Sequence, residues 1–89
     1  MKITLELFGA SRDFSNKDYL EFNIKDHFEV KDLRKIINNY LKKNFKGNKN
    51  FQKIVENSSF CSEDNNIIED NYKITKDQKI GILPPIGGG

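Results

Sequence analysis

The sequence predicts an α+β fold in which a mixed sheet of four to five strands packs on one main helix. Three observations predict it: two alternating apolar segments near the N-terminus, an amphipathic segment in the middle, and a further alternating segment near the C-terminus. A hairpin alone cannot bury its apolar side, and a helix laid across the sheet covers that side. Because the chain has 89 residues, it forms one domain at most.

Two strands joined by a loop are predicted for the first 24 residues. Residues 2–8 alternate, and Phe8 falls on the side opposite the aliphatic residues. Residues 9–18 are rich in Gly, Ser, Asn and Asp, which is typical of a turn or hairpin loop. Residues 19–24 alternate again, so that the two strands suggest a hairpin. The apolar side of this hairpin contains Ile3, Leu5, Leu7, Leu20, Phe22 and Ile24.

The segment 30–45 changes to the helical period. Its apolar residues recur three and four positions apart, which predicts an amphipathic helix. They are Val30, Leu33, Ile36, Ile37, Tyr40 and Leu41, with Phe45 at the edge of the stripe. Gly47 is the residue type expected just after a helix ends. The following segment, 48–56, fits a short helical turn.

The C-terminal half predicts three more strands. Residues 58–62 and 67–68 form two short apolar segments around a polar turn, and residues 79–83 form a last alternating strand. The first and last strands are the longest apolar ones, and a β-grasp arrangement would pair them at the centre of the sheet. This inference rests on the order of elements and makes residues 1–83 the folded body.

The composition excludes several classes of function. With one cysteine and one histidine, Cys61 and His27, the chain has no internal disulfide and no Cys-rich zinc site. The acidic pairs at 63–64 and 69–70 match no known cation-binding loop, so no metal site is predicted. No apolar run approaches the roughly 18 residues of a membrane span, and the N-terminus alternates rather than forming a signal peptide. The chain therefore lacks the set of side chains that an enzyme acting without a partner usually contains.

Cys61 is interpreted as a buried structural thiol, because a free cysteine behaves as a small hydrophobic residue. A catalytic or persulfide role for it stays open. His27 precedes the main helix in a polar loop, and it is interpreted as a surface residue.

The net charge of +2 conceals a basic segment. Residues 30–53 hold eight basic residues and one acidic residue, and the lysines of 42–53 are not interrupted by an acid. A solvated helix end is the favoured interpretation, since cations at a helix C-terminus are stabilising. The alternative is a binding surface for nucleic acid or an acidic partner. No aromatic residues are interleaved with the lysines for base stacking, so nucleic acid is not predicted as a partner. A membrane is not predicted either, since the chain has no long apolar run.

The last six residues, 84–89, have the sequence PPIGGG and form a predicted flexible tail. Pro84 and Pro85 lack an N–H, so they end the strand ladder and hold the chain extended. After the apolar Ile86, residues 87–89 have no Cβ and can enter a narrow channel. From Pro85 the tail reaches roughly 17 Å. This design would offer the terminal carboxylate to the active site of another protein, although a disordered terminus or an artificial extension is the alternative.

The chain resembles the small subunit of molybdopterin synthase, a ubiquitin-like β-grasp sulfur carrier of the MoaD-like type. The resemblance rests on residues 7–13 (LFGASRD), 30–34 (VKDLR) and 75–89, which ends in the Pro-Pro-aliphatic and Gly-Gly pattern. Three departures from the family pattern occur: residues 76–77 are Lys-Asp instead of Gly-Asp, the last strand ends in aliphatic residues instead of aromatic ones, and Gly87 stands where Ser, Thr or Ala is common. The missing aromatic residue concerns partner docking and leaves the chemistry of the tail unchanged.

The resemblance implies that Gly89 is the reactive residue and that Gly88, Gly87, Ile86, Pro85 and Pro84 present it. A ubiquitin-activating-like adenylyltransferase (MoeB-like) would use ATP to adenylate Gly89, and sulfur would then form a C-terminal thiocarboxylate. The carrier would bind a large synthase subunit (MoaE-like), in a cytoplasmic heterotetramer, and donate sulfur to cyclic pyranopterin monophosphate. The catalytic side chains would lie on the large subunit, and the carrier itself would bind no cofactor.

Alternation also predicts an exposed apolar patch at the root of the tail. Phe8 and Leu83 fall on the sides of their strands opposite the core residues, and one of Ile67 and Ile68 has to face outward. Such a patch is typical of an interaction site. The resemblance implies that Phe8, Ile67 and Leu83 contact the partner; the alternative is that a helix or loop of the same chain covers them.

Three alternative functions are compatible with the sequence. The chain could be a sulfur carrier for thiamine synthesis or tRNA thiolation, and the Pro-Pro pair disfavours the thiamine type. It could be a ubiquitin-like modifier that forms isopeptide bonds through Gly89. It could also be an interaction module that binds through the lysines of 42–53.

Overall fold

The computed structural model describes residues 1–25, 27–46 and 48–85. Its elements in chain order are β1 (Lys2–Leu7), a 3₁₀ helix (Gly9–Phe14), β2 (Tyr19–Asn23), β3 (Phe28–Glu29), α1 (Val30–Asn44), α2 (Lys49–Asn57), β4 (Ser59–Cys61), β5 (Ile67–Ile68), β6 (Lys73–Ile74) and β7 (Gln78–Leu83). Five strands form a mixed sheet in the order β2-β1-β7-β4-β5, and β3 pairs with β6 in a separate two-stranded sheet. The predicted α+β class is confirmed.

β1 and β7 lie side by side and parallel at the centre of the main sheet, as the order of elements predicts. Leu5 is opposite Ile80 in the register, and Leu7 is opposite Ile82. These four side chains are at most 1% exposed. Because side chains alternate along a strand, the residues between them lie on the other side of the sheet.

α1 packs on the apolar side of the sheet, and its predicted extent is confirmed to within one residue. At its start, the backbone N–H of Glu29 donates to Asp32 Oδ2 at 3.0 Å, a side-chain bond typical of helix N-termini. The buried stripe consists of Val30, Leu33, Ile37 and Leu41, with Ile36, Tyr40 and Phe45 partly buried beside it. Gly47, the residue expected after the helix, lies outside the described residues.

The loop predicted for residues 9–18 is wrong for its first half. Gly9–Phe14 form a 3₁₀ helix, and the side chain of Phe14 is fully buried. The Tyr40 hydroxyl donates to the Phe14 carbonyl oxygen at 3.0 Å, and the Phe14 and Phe51 rings are 5.0 Å apart. These contacts with the helices order a segment whose local sequence favours a turn.

The turn predicted for 48–56 is a full helix, α2. The side chain of Asn48 accepts from the backbone N–H of Phe51 at 3.2 Å and caps its start. Arg34 holds the other end: one of its terminal nitrogens, Nη1, donates to the carbonyl oxygens of Val55 at 2.6 Å and Ser58 at 2.8 Å. The Arg34 guanidinium also pairs with Asp70 at 2.9 Å, so it ties α1 to α2 and to the segment after β5.

The small sheet of β3 and β6 is not predicted by the sequence. Phe28 is opposite Ile74 and Glu29 is opposite Lys73 in an antiparallel pair. Each strand has two residues, which is too short for an alternating pattern to appear. The pair lies beside the start of α1, where the backbone N–H of Val30 donates to the Tyr72 carbonyl oxygen at 3.1 Å.

Candidate functional site: the tail root and the open face

The tail begins at the end of a central strand. The ladder of β7 ends with Leu83 opposite Ser59, and the next two residues are the prolines. Pro84 is half-buried and Pro85 is exposed. A Cβ built on Gly9 would lie 4.0 Å from the Pro84 ring, so the start of the 3₁₀ helix is within contact range of this proline. Gly9 has a φ of +55°, a left-handed conformation that favours glycine.

We call the side of the main sheet opposite the apolar core the open face. Its central row runs across four strands, from Glu6 through Gly81 and Cys61 to Ile67, as the strand registers show. Leu83 lies two residues beyond Gly81 on the same side of β7. The open face is therefore continuous with the tail root.

Phe8 is held over the open face by Ser11. The backbone N–H of Phe8 donates to Ser11 Oγ at 3.0 Å, and the Ser11 hydroxyl donates back to the Phe8 carbonyl oxygen at 2.6 Å. Ser11 is fully buried and has both bonds within the chain. The Phe8 ring remains 40% exposed. The reciprocal bonds fix the turn at which the chain leaves β1, and with it the direction of Phe8.

The Phe8 ring occupies the space that a side chain at position 81 would otherwise fill. An added Cβ at Gly81 would lie 2.9 Å from Phe8 Cε2 and 2.8 Å from Cys61 Sγ, both closer than real Cβ contacts. The missing side chain therefore lets an aromatic ring and a sulfur atom meet over the central strand. Gly81 is buried by these two neighbours.

The predicted patch at the tail root has the expected orientation. Ile67 is 62% exposed while Ile68 is 8% exposed, so the prediction that one of the two faces outward is confirmed. Phe8 is exposed and Leu83 is half-buried on the same side of the sheet. Neighbouring strands are about 4.8 Å apart, which puts Ile67 roughly 10 Å from Gly81. The role of Phe8, Ile67 and Leu83 as a partner interface stays a prediction.

Charged side chains border the apolar patch. A shallow cavity of about 160 Å³ on the open face is lined by Glu6, Phe8, Cys61, Ser62, Glu63, Asn65, Lys79 and Gly81. Lys79 Nζ is 3.7 Å from Glu6 Oε2, and the backbone N–H of Lys79 donates to Glu63 Oε1 at 2.7 Å. An apolar centre with a polar margin is the usual organisation of a protein interface.

Cys61 differs from its interpretation as a buried structural thiol. It is half-buried, and it lies in the central row of the open face rather than in the core. Its neighbour Phe60 fills the core position instead, because the two residues alternate along β4. The short apolar segment 58–62 does not by itself show which of the two faces inward.

Four residues of the predicted tail, Ile86, Gly87, Gly88 and Gly89, lie outside the described residues. Within residues 1–25, 27–46 and 48–85, no group of three or more His, Cys, Asp or Glu side chains is arranged to hold a metal ion. In the same ranges, no helix is long and apolar enough to cross a membrane.

Two residues that build the site, Ser11 and Gly81, are not among the site residues predicted from the sequence. A serine three residues after the turn residue Phe8 is a signal for a cap, since its hydroxyl can reach back to the backbone N–H at the turn. The glycine inside the last strand is a signal for close approach of another group. Neither signal shows by itself that Phe8 is the group being positioned.

Two solved structures are similar to this one over nearly their whole length. SAMP1 from Haloferax volcanii aligns with a TM-score of 0.68, 11% sequence identity and full coverage of both chains. Subunit 1 of a molybdopterin converting factor from Pyrococcus furiosus aligns with a TM-score of 0.70 and 16% identity, over 96% of this chain and 98% of that chain. The chain has the ubiquitin-like β-grasp fold. No protein-family model matches the sequence, and no curated protein matches it either.

Proposed function

We propose that this chain is a sulfur carrier that serves as the small subunit of molybdopterin synthase. One observation carries the proposal: the Pro-Pro-Ile-Gly-Gly-Gly tail continues from a central strand of the sheet, beside the exposed apolar patch of the open face. Because the tail starts from a central strand, the position of its first residue is fixed by the sheet. A partner that binds the patch therefore receives the tail in a defined direction.

The proposed chemistry takes place at the carboxylate of Gly89. One carboxylate oxygen attacks the α-phosphorus of ATP on an activating adenylyltransferase, pyrophosphate leaves, and an acyl-adenylate forms. Hydrosulfide, or its equivalent from a persulfide and a thiol, then attacks the acyl carbon and displaces AMP. The product is a C-terminal thiocarboxylate, whose sulfur is a nucleophile at neutral pH.

The thiocarboxylate then donates its sulfur to cyclic pyranopterin monophosphate within the large synthase subunit. The sulfur attacks the acceptor carbon, the bond from that carbon to one of its oxygen substituents breaks, and the oxygen leaves with a proton. Water then hydrolyses the acyl–sulfur bond, which leaves the sulfur on the acceptor and regenerates the carboxylate of Gly89. The large subunit supplies the catalytic side chains in this cytoplasmic reaction. The carrier contributes the substrate sulfur and its position, binds no cofactor itself, and depends on the ATP used by its activating enzyme.

Docking is proposed to use Phe8, Ile67 and Leu83. These residues lie on one side of the sheet, at the end from which the tail leaves or close to it. A flat apolar patch with charged margins suits a partner that binds and releases the carrier in each cycle. The similarity to a subunit of a molybdopterin converting factor supports a large subunit as that partner.

Intact-mass spectrometry tests the proposal. The chain is incubated with ATP, the activating enzyme of the source organism and a sulfur donor, and we expect a mass increase equal to replacing one oxygen by sulfur, localised to Gly89. The matched control lacks Gly88 and Gly89, so that it no longer ends in a Gly-Gly pair. It is expected to keep the far-UV circular dichroism of the full chain, because the strand ladder ends at Leu83, and to gain no sulfur. A carboxylate that stays unchanged in the full chain contradicts the proposal.

The same preparation separates the other functions. A thiocarboxylate that passes its sulfur to a thiamine precursor or to tRNA, and none to cyclic pyranopterin monophosphate, identifies a sulfur carrier of another pathway. Isopeptide-linked conjugates that carry Gly89 on lysines identify a protein modifier. Each outcome contradicts the proposed acceptor while keeping the activation of Gly89.

A further inference from the structure

The basic segment of the chain lies at the same end of the fold as the tail root. Pro84, which starts the tail, lies within contact range of Gly9, the first residue of the 3₁₀ helix. At the far end of that helix, Phe14 accepts a hydrogen bond from Tyr40 of α1 and packs against Phe51 of α2. A 3₁₀ helix of six residues spans roughly 12 Å. The last turns of α1 and the start of α2 therefore contact the far end of the same 3₁₀ helix whose first residue lies beside Pro84.

We define the basic end as the lysines Lys42, Lys43, Lys46, Lys49 and Lys53. All of them are exposed. None takes part in an ion pair of the described residues, in which the paired cations are Lys2, Lys31, Arg34 and Lys79. The basic end therefore carries a charge of about +5 without an ion pair to the described part of the chain. The nearest acidic residue along α2 is Glu56, three positions after Lys53.

The segment between the basic end and the tail root adds no net charge. Arg12 and Lys17 balance Asp13 and Asp18 in the 3₁₀ helix and the loop after it. At 0.15 M ionic strength the Debye length is about 8 Å, so these lysines act on a partner surface that lies within about that distance of them. A partner that surrounds the tail has to extend along the 3₁₀ helix, from Gly9 towards Phe14, to come within this range.

The aromatic residues at the basic end are turned into the fold. The Phe45 and Phe51 rings pack against each other with centroids 5.1 Å apart, and both are half-buried. In the described part of this surface the exposed charges are lysines, without an exposed aromatic ring between them. Lysines alone suit a carboxylate-rich surface, and they provide no platform for the bases of a nucleic acid.

We infer that the activating enzyme that receives the tail presents an acidic rim beside the mouth of its channel, and that this rim pairs with the basic end. The inference rests on the proposed function and adds a second contact region to it. The apolar patch of the open face would fix the position of the carrier, while the basic end would orient the approaching carrier so that the tail meets the channel. Charges placed in this way raise association rates by about 10- to 1,000-fold at low salt.

Charge reversal on α2 tests the inference. The double variant Lys49→Glu with Lys53→Glu changes two exposed residues one turn apart on the same helix. We expect the KM for the carrier in ATP-dependent thiocarboxylate formation to rise about tenfold at low salt, with kcat retained, because steering affects encounter. In about 0.5 M salt, where the charges are screened, the difference should shrink to less than about threefold.

The matched control reverses two exposed lysines at the other end of the fold. Lys73→Glu with Lys76→Glu makes the same change in net charge next to the start of α1, which is 15 residues and roughly 22 Å long. We expect its KM to stay within about twofold of the unmodified chain. Circular dichroism and urea midpoints establish that both double variants are folded.

The outcomes separate this inference from the proposed function. A chain that gains no thiocarboxylate in any form contradicts the proposed function, and the acidic rim with it. Turnover in which both double variants behave alike contradicts the acidic rim alone. If the α2 variant turns over normally but loses affinity for a labelled single-stranded oligonucleotide, the basic end binds nucleic acid and the inference is overturned.

Discussion

The two sides of the main sheet are built from the same strands and contribute different properties. The covered side contains Leu5 and Ile80, which are fully buried against each other and the helices. On the open face, one position further along the same strands, lie Glu6 and Gly81, with Phe8 over them. Side-chain volume on the covered side stabilises the fold, whereas a side chain added at Gly81 on the open face would collide with Phe8 and Cys61. Successive residues of each strand therefore have different tasks: those on the covered side stabilise the fold, and those on the open face are available to a partner.

The largest difference between the two sides is expected for truncation to alanine. Leu5→Ala leaves a cavity in the core, and we expect it to lower the free energy of unfolding by about 2–5 kcal/mol. Ile67→Ala on the open face removes a side chain that is already 62% exposed, so its effect should be within about 0.5 kcal/mol. Urea unfolding followed by circular dichroism measures both. Equal losses would show that the open face is as much a part of the core as the covered side.

Adding volume to the open face is the next test. Gly81→Ala puts a Cβ within 2.9 Å of the Phe8 ring and 2.8 Å of Cys61 Sγ, and we expect a loss of about 1–3 kcal/mol. Combining it with Cys61→Ala should restore part of the stability, because one of the two close contacts disappears. A double-mutant cycle measures this coupling. Strictly additive losses would contradict the arrangement of the three residues.

A smaller effect is expected from the hydroxyl that positions Phe8. Ser11→Ala removes both side-chain bonds to the Phe8 backbone, and we expect it to cost about 0.5–2 kcal/mol, as for the loss of a helix cap. The Phe8 amide should also exchange faster with solvent in hydrogen-exchange measurements. Ser15→Ala is the control, since the Ser15 hydroxyl makes a solvent-exposed bond to Lys17 N–H. Unchanged exchange at Phe8 would show that other contacts hold the turn.

The smallest expected effect is at an exposed ion pair far from the tail root. Lys2 Nζ is 2.7 Å from Glu21 Oε2, and the hydrogen bond and charge of Glu21 raise the pKa of Lys2 above its usual 10.5. The contribution of this pair is complete below pH 10.5 and is lost as the pH rises through the higher folded-state pKa. Lys2→Gln should therefore lower the urea midpoint slightly at neutral pH and have no effect above the folded-state pKa. A constant difference across this range would contradict an ionic origin.

The sequence predicts those strands and helices in which the alternation or the helical period of apolar residues continues over several residues. β1, β7 and α1 are of this kind, since each has one side facing the core over five or more residues. β3 and β6 have two residues each and cannot carry a pattern. Phe14 is a single aromatic residue in a polar segment, and its burial depends on Phe51, which is 37 positions further along. Tertiary contacts of this kind have no local signature.

The candidate site, like the fold, is predicted from the sequence only in part. The period of two predicts that Phe8 faces outward and that one of Ile67 and Ile68 does, but it leaves open which of these two it is. It does not predict that Ser11 fixes Phe8 or that Gly81 makes room for it, because both depend on distances across strands. The position of the basic end beside the tail root also requires the fold, since Lys49 and Pro84 are far apart in the sequence.

The parallel pairing of β1 with β7 also governs when the protein can fold. The backbone N–H of Lys2 donates to Asp77, 75 residues further along the chain, so the central ladder joins the first strand to the last. Contacts at this separation slow folding, because a long loop has to close before the ladder forms. During synthesis β7 is also made after every other strand that the structure describes. A chain whose synthesis stops before Leu83 lacks a central strand, so a folded body reports that translation has already reached the root of the tail.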